Sequence, residues 1–96
     1  MKLVFRPEAA ADLERGYIWY EDQRAGLGEE LAAAVWQTIE SVLANPRQYP
    51  IHRRQTRRAQ VRRFPYTVLY RIAEGAVVVL GIFHARSNPK EWDSRA

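Results

Sequence analysis

Apolar and polar positions divide the chain into two regimes. Through its first half the apolar residues recur every three or four positions, the period of a helix; beyond Ala59 they alternate or run on without interruption, as strands do. Ahead of both, Lys2 to Arg6 reads as a short strand, with Leu3 and Phe5 alternating against Val4. Pro7 stops that strand and suits the first turn of a helix. Glu8 and Asp12 follow, early in the helix, where negative charge meets the positive end of its dipole. From Glu8 to about Asp22 the stripe is Leu13, Tyr17 and Tyr20, preceded by Ala9 and Ala10. Asp12, Glu14, Arg15, Glu21 and Asp22 are assigned to the polar side, and Trp19 lies off the stripe. After the turn at Ala25 to Gly28, a second helix runs from about Leu27 to Ala44. Its stripe is Leu27, Leu31, Ala34, Val35, Thr38, Ile39 and Val42. Asn45-Pro46 ends it. Two long helices with a short connection form an antiparallel hairpin.

The second half changes period. Arg47 to Arg58 is basic and irregular. Ala59 to Phe64 reads as a strand, with Pro65 at a bulge or edge because it cannot donate to a ladder. Tyr66, Val68, Tyr70 and Ile72 share one face of the next strand, and Thr67, Leu69 and Arg71 the other. Ala73-Glu74-Gly75 is a turn. Ala76 to Phe83 is nearly all apolar, as a strand buried on both faces is. Asn88-Pro89-Lys90-Glu91 predicts a last short helix capped by Asn88, with Glu91 as the reciprocal partner and Trp92 as apolar anchor. The sum is one α+β domain over residues 1–96. Its order is β-α-α-β-β-β plus a short C-terminal helix, with the helical hairpin on one face of a mostly antiparallel sheet.

Charge sharpens this picture. The net charge of +4 is the sum of −4 over residues 1–46 and +8 over residues 47–96. Seven arginines and no Asp or Glu lie between Arg47 and Arg63. Such a block fits an acidic partner, nucleic acid or protein, or else a solvated strand and loop. The chain has no cysteine, which excludes a disulfide scaffold, a thiol nucleophile and a cysteine-ligated zinc. No apolar run is long enough for a membrane span and no signal peptide is visible, so a cytoplasmic domain without membrane contact is expected.

Chemistry-bearing motifs are sparse. There is no P-loop, dinucleotide fingerprint or paired-histidine metal motif, so neither a cofactor nor a metal is implied. His84, at the end of the apolar strand and two residues before Arg86, is either an acid–base group or a strand-end histidine that caps the sheet or packs on Trp92. Tyr66 and Tyr70 either stack bases or pack the core. Trp19 and Trp36 flank the helical stripes, and an exposed Trp36 would suit a protein partner.

An ordered set of short segments nevertheless resembles a known family. Pro7-Glu8-Ala9-Ala10-Ala11-Asp12-Leu13, Trp19-Tyr20-Glu21, Gly26-Leu27-Gly28, Asn45-Pro46 and Tyr49-Pro50 are similar to the front half of RelE/ParE-type toxins. Val61-Arg62-Arg63-Phe64-Pro65-Tyr66, Tyr70-Arg71, the valine strand, His84-Ala85-Arg86 and Pro89-Lys90-Glu91-Trp92 are similar to the back half. The resemblance covers nearly the whole chain and is nearest the ParE-like branch, described as plasmid stabilisation proteins.

That resemblance implies the toxin of a type II toxin–antitoxin pair, neutralised by a cognate, ParD-like antitoxin whose acidic segment folds onto the toxin. ParE-like members are associated with poisoning DNA gyrase, a growth-arresting activity that is not enzymatic. RelE-like members instead cut messenger RNA on the ribosome, and a degenerate toxin or a generic nucleic-acid-binding module is the remaining alternative. Ribose-driven cleavage needs a base, an acid and charge stabilisation. Against the RelE pattern, Thr67 stands at a strand arginine, Arg86 matches an arginine, and Trp92 replaces the terminal tyrosine. His84 and Arg86 are thus the catalytic candidates if the chain is a ribonuclease. Arg57, Arg58, Arg62, Arg63, Arg86 and Trp92 are the expected target or nucleic-acid contacts. Trp19, Trp36, Arg62 and Arg63 are the expected antitoxin contacts.

Overall fold

A computed structural model describes all residues from Met1 to Ala96. The elements in chain order are β1 (Lys2–Phe5), α1 (Pro7–Gln23), α2 (Leu27–Ala44), β2 (Ile51–Arg53), β3 (Thr56–Gln60), β4 (Tyr66–Ala73), β5 (Ala76–His84) and α3 (Pro89–Arg95). The five strands form one sheet in the order β1-β5-β4-β3-β2. Only the β1–β5 pair is parallel, with Lys2 opposite Ala76 and Phe5 opposite Val79. No helix is long and apolar enough to cross a membrane.

The expected α+β order holds, with one strand added and one moved. Ile51–Arg53, read as irregular, is the short edge strand β2, paired with β3. Its one apolar residue, Ile51, is exposed and the half-buried position is His52, so hydrophobicity does not mark its inward face. β3 begins at Thr56 and ends at Gln60, rather than spanning Ala59 to Phe64. The reason is the loop that follows. Arg63 has a left-handed φ of 68°, Pro65 lacks an N–H, and Val61 N–H donates to Tyr66 O across a tight reversal.

The sheet is covered on both faces. On one, Tyr66, Val68, Tyr70, Val77, Val79 and Ile82 pack against Leu31, Val35, Ile39 and Val42 of α2 and Ala9 of α1. On the other, Leu69, Val78, Leu80 and Phe83 form a smaller cluster beneath Trp92 of α3. This double burial accounts for the unbroken apolar run in β5. The hairpin is joined by Glu21, whose carboxylate accepts the N–H groups of Gly26 at 2.9 Å and Gly28 at 2.8 Å, capping α2 from outside the helix. Tyr70 donates its hydroxyl to Pro46 O at 2.5 Å, pinning the loop after α2 to the sheet.

α1 presents a different face from the one its apolar residues trace. Its buried positions are Ala9, Asp12 and Gly16, and Leu13 and Tyr20 sit at the margin. Asp12, assigned to the polar side, is only 6% exposed. The cause lies in β5. β1 pairs only with Ala76 to Val79, so beyond that point the outer edge of β5 has no neighbour. The pairing with β4 also shifts by one residue at Leu80, the extra residue of a bulge. Asp12 Oδ2 accepts the Ile82 N–H at this open edge, at 3.0 Å. The same carboxylate receives a two-pronged contact from Arg95, through Nη1 to Oδ2 and through Nη2 to Oδ1 at 3.0 Å. Arg15 adds a second cation at 2.6 Å. The Asp12 contact pushes the Arg95 pKa further up, against the opposing effect of its partial burial.

Arg95 reaches Asp12 from the opposite face of the sheet, past Gly81. A Cβ there would collide with the Phe83 ring and lie 3.0 Å from Arg95 Nη1. α3 is held at three further points. Asn88 Oδ1 accepts the Lys90 N–H at 2.9 Å, the expected cap. The return bond expected from the Glu91 side chain is not made. Trp92 stacks on Phe83 with ring centroids 5.2 Å apart. Asp93 pairs with Arg53 at 2.8 Å and with His52 at 3.3 Å. A helix of seven residues with no buried side chain is therefore fixed to α1, β2 and β5 by its polar groups.

Replacing Asp12 by Ala leaves the Ile82 N–H and the Arg95 guanidinium without their acceptor. It is expected to destabilise the chain by roughly 3 kcal/mol in urea unfolding; a loss below about 0.5 kcal/mol, the range of ordinary surface changes, would contradict this role. Tyr70 supplies a pH prediction. Burial raises its phenol from 10.0 to about 12, so the folded state holds a proton that the unfolded state releases first. Stability from this group is full below pH 10.0 and is lost as the pH rises to about 12. Ultraviolet difference absorbance of wild type against Tyr70→Phe should show one phenol ionising in that upper range.

Candidate functional site

Where α1, the start of β4, the end of β5 and α3 meet, they enclose an open cleft of about 410 Å³. α1 supplies Arg15, Trp19 and Tyr20, β4 supplies Tyr66, β5 supplies His84, and Ser87 and Glu91 close the rim. Gly16 makes the approach possible. A Cβ at that position would stand 3.0 Å from both Leu31 Cδ2 and the Tyr66 hydroxyl. The floor is a chain of edge-on rings. Trp19 meets Tyr20 at 4.9 Å, Tyr20 meets Phe64 at 5.3 Å, and Tyr66 meets His84 at 5.1 Å. Such contacts add to the area each ring buries.

The polar groups of the cleft have assigned roles. Burial, and secondarily Tyr20, raise the Tyr66 pKa above 10.0, so its hydroxyl is a hydrogen-bond donor at neutral pH rather than a base. His84 Nδ1 accepts the Arg86 N–H at 3.0 Å, which places the proton of the neutral ring on Nε2. Ser87 Oγ donates to His84 O at 2.6 Å and accepts the Trp92 indole N–H at 2.7 Å. The Trp92 ring lies between Phe83 and His52. Its single donor and its stacking faces are thus committed to holding α3.

The arginine run does not form one patch. Arg57 donates to Arg47 O at 3.1 Å and Tyr49 O at 2.7 Å, tying down the loop before β2. Arg58 is exposed and shares a shallow hollow with Pro50, Gln60 and Thr67. Thr67 itself is buried. Arg62 and Arg63 stand beside α2, near Glu30, Ala33 and Gln37. Arg63 reaches Glu30 at 3.7 Å and covers the Phe64 ring. Arg86 is exposed just beyond β5.

The expected antitoxin residues are also dispersed. Trp36 is 45% exposed and leans on Phe5 at 5.6 Å. At about 100° per residue it lies on the flank of α2 away from Glu30 and Gln37, and hence from Arg62 and Arg63. Trp19, 57% exposed, belongs to the His84 cleft. The structure brings Trp19 and His84 together, and Arg62 with Arg63, but joins neither pair to Trp36. Little in the sequence marks Arg15, Ser87 or Glu91 as cleft residues, and the ring that packs on His84 is Tyr66 rather than Trp92, which is taken up by Phe83 and His52. The one signal for Arg15 was its place three residues from Asp12 on the helix, a spacing that puts both on one side.

Residues 3–89 match the model of a family described as the ParE toxin of type II toxin–antitoxin systems, parDE. The chain belongs to that family. A solved structure described as the chromosomal ParDE TA system from P. aeruginosa is similar, with a TM-score of 0.67. The likeness covers 88% of this chain and 95% of that one at 23% identity, so it is a likeness of fold. No curated protein matches the sequence.

Gly16→Val tests the construction of the cleft. The added methyl groups should push Tyr66 away from α1, costing about 1–3 kcal/mol in stability. They should also shift the His84 ring resonances in NMR spectra. Unchanged His84 resonances in the folded variant would mean that Tyr66 does not position that ring.

Proposed function

We propose that this toxin arrests growth by inhibiting DNA gyrase and that a cognate, ParD-like antitoxin holds it inactive. Membership of the ParE family over residues 3–89 is the observation that carries this reading. The site chemistry supports it. Ribonucleolytic cleavage needs a proton donor and acceptor set around a ribose. At the position of the terminal tyrosine in the RelE pattern stands Trp92, whose indole N–H is bonded to Ser87. At that of the strand arginine stands the buried Thr67. His84 and Arg86 alone do not complete the set.

In this reading Arg62, Arg63 and Arg86 face the target or its DNA, with Arg58 nearby. Arg57 is left out because its guanidinium holds loop carbonyls. The antitoxin lies along α2, meeting Trp36 on one flank and Arg62 and Arg63 on the other, and reaching Trp19 at the end of α1. The action is cytoplasmic, where gyrase and its DNA are.

The test is a gyrase supercoiling assay with the purified chain, beside a variant carrying Arg62→Glu, Arg63→Glu and Arg86→Glu. Inhibition by the wild type, weakened at least about tenfold in the folded variant, is expected; one order of magnitude corresponds to about 1.4 kcal/mol of lost contact. Untouched gyrase together with messenger RNA cleavage in a translating extract would replace this reading with the ribonuclease one, and His84→Ala should then abolish the cleavage.

A further inference from the structure

A second cleft, of about 510 Å³, opens where α3 ends, on the far side of the molecule's edge from His84. Four arginines from four different elements line it, beside one acidic side chain, Glu8: Arg6 just before α1, Arg54 in the β2–β3 turn, Arg71 on β4 and Arg95 on α3. Two of them are answered within the chain. Arg95 is held by Asp12, and Arg6 stands 3.9 Å from Glu8. Arg54 and Arg71 take part in none of the chain's seven ion pairs.

Their placement is built into the fold. Arg71 is the Cα partner of Thr56, the first residue of β3. Thr56 is 1% exposed and donates its hydroxyl to Arg53 O at 2.5 Å, closing the turn that carries Arg54. Arg54 adopts a left-handed φ of 54° within that turn. The backbone positions of both free arginines are thereby set, Arg71 within β4 and Arg54 in the turn that Thr56 closes.

We propose that Arg6, Arg54 and Arg71 form a phosphate-binding cleft, with Arg95 as its Asp12-anchored wall. Several guanidinium forks approaching from different elements match the oxygens of a tetrahedral phosphoryl group, whereas a carboxylate is satisfied by one fork. The cleft holds no aromatic ring, so it has no platform on which a base would stack. Its recognition is of phosphate, the contact that positions a protein on nucleic acid without reading sequence. The inference stands independently of the gyrase reading.

Two sources supply this chemistry, a free phosphate-bearing small molecule and the backbone of a nucleic acid. Both are distinguished by NMR titration of the labelled full chain at fixed ionic strength. The probes are inorganic phosphate, a short DNA duplex and polyglutamate, and the signals followed are the arginine side chains and the Gln55 and Thr56 amides. Shifts confined to Arg6, Arg54, Arg71 and their neighbours on adding duplex assign the backbone as source; the same shifts with phosphate alone assign a small molecule. Affinity for whichever of these two binds should fall at least about tenfold in the Arg54→Gln, Arg71→Gln variant, about 1.4 kcal/mol, and stay unchanged in Arg24→Gln, a control in the α1–α2 turn where Arg24 pairs with Glu30. An Arg54→Asn, Arg71→Gln variant repeats the test with a residue that tolerates the left-handed backbone. Unchanged affinity in both folded cleft variants overturns the proposal. So do shifts spread evenly over Arg47, Arg58 and Arg62, silence in the cleft to both phosphate and duplex, or a stronger response to polyglutamate than to either.

Discussion

One buried carboxylate ties the architecture together. β1 is too short to pair with all of β5, so the edge of β5 beyond Val79 needs another acceptor, and Asp12 provides it from α1. A lone buried carboxylate is costly. Arg95 and Arg15 offset that cost, and Arg95 brings the end of α3 with it. The sheet edge, the first helix and the last helix are thus held at one point. Double burial of β5 depends on it, because α3 has no buried side chain and covers Leu69, Val78, Leu80 and Phe83 only while its polar anchors hold.

Both clefts follow from that junction. Asp12 lines the His84 cleft and Arg95 lines the arginine cleft, so the salt bridge is the wall between them. On one side the surroundings are aromatic, built from Trp19, Tyr20 and Tyr66 around the His84 imidazole. On the other they are cationic and ring-free. A toxin of the ParE family therefore presents two chemically different surfaces on a small sheet. A partner that moved α3 would disturb both at once, since Trp92, Asp93 and Arg95 anchor it to three different elements.

The fold is legible in the sequence wherever burial is continuous. The α2 stripe from Leu31 to Val42 and the apolar run of β5 correspond to buried positions with little adjustment, because nothing but core packing acts on them. Asp12 is the instructive failure. Its charge and early position in α1 fit a dipole role, and its real partner, the Ile82 N–H, lies 70 positions away in the chain. No local pattern encodes a contact of that range. β2 escaped for a related reason: its pairing depends on β3, and its one apolar residue, Ile51, is exposed, so hydrophobicity does not mark its inward face. Among the candidate site residues, His84 and Trp19 were identifiable as unusual. Their companions Arg15, Ser87 and Glu91 look like ordinary surface residues until the bulge and α3 bring them together. The block of seven arginines was visible as charge, but its division depends on turns. One member caps loop carbonyls, two flank α2, and Arg54 joins Arg71 on the other side of the sheet.

Native-state hydrogen exchange at the Ile82 amide tests the Asp12 junction most directly. An amide at an unpaired strand edge exchanges through local fluctuations, whereas one held in a buried cluster exchanges only when the structure opens. Protection of Ile82 equal to that of the interior β5 amides, falling when Arg95 is truncated to Ala, is the result this account requires. Rapid exchange at Ile82 in the wild-type chain, at the rate of a frayed edge, would contradict it.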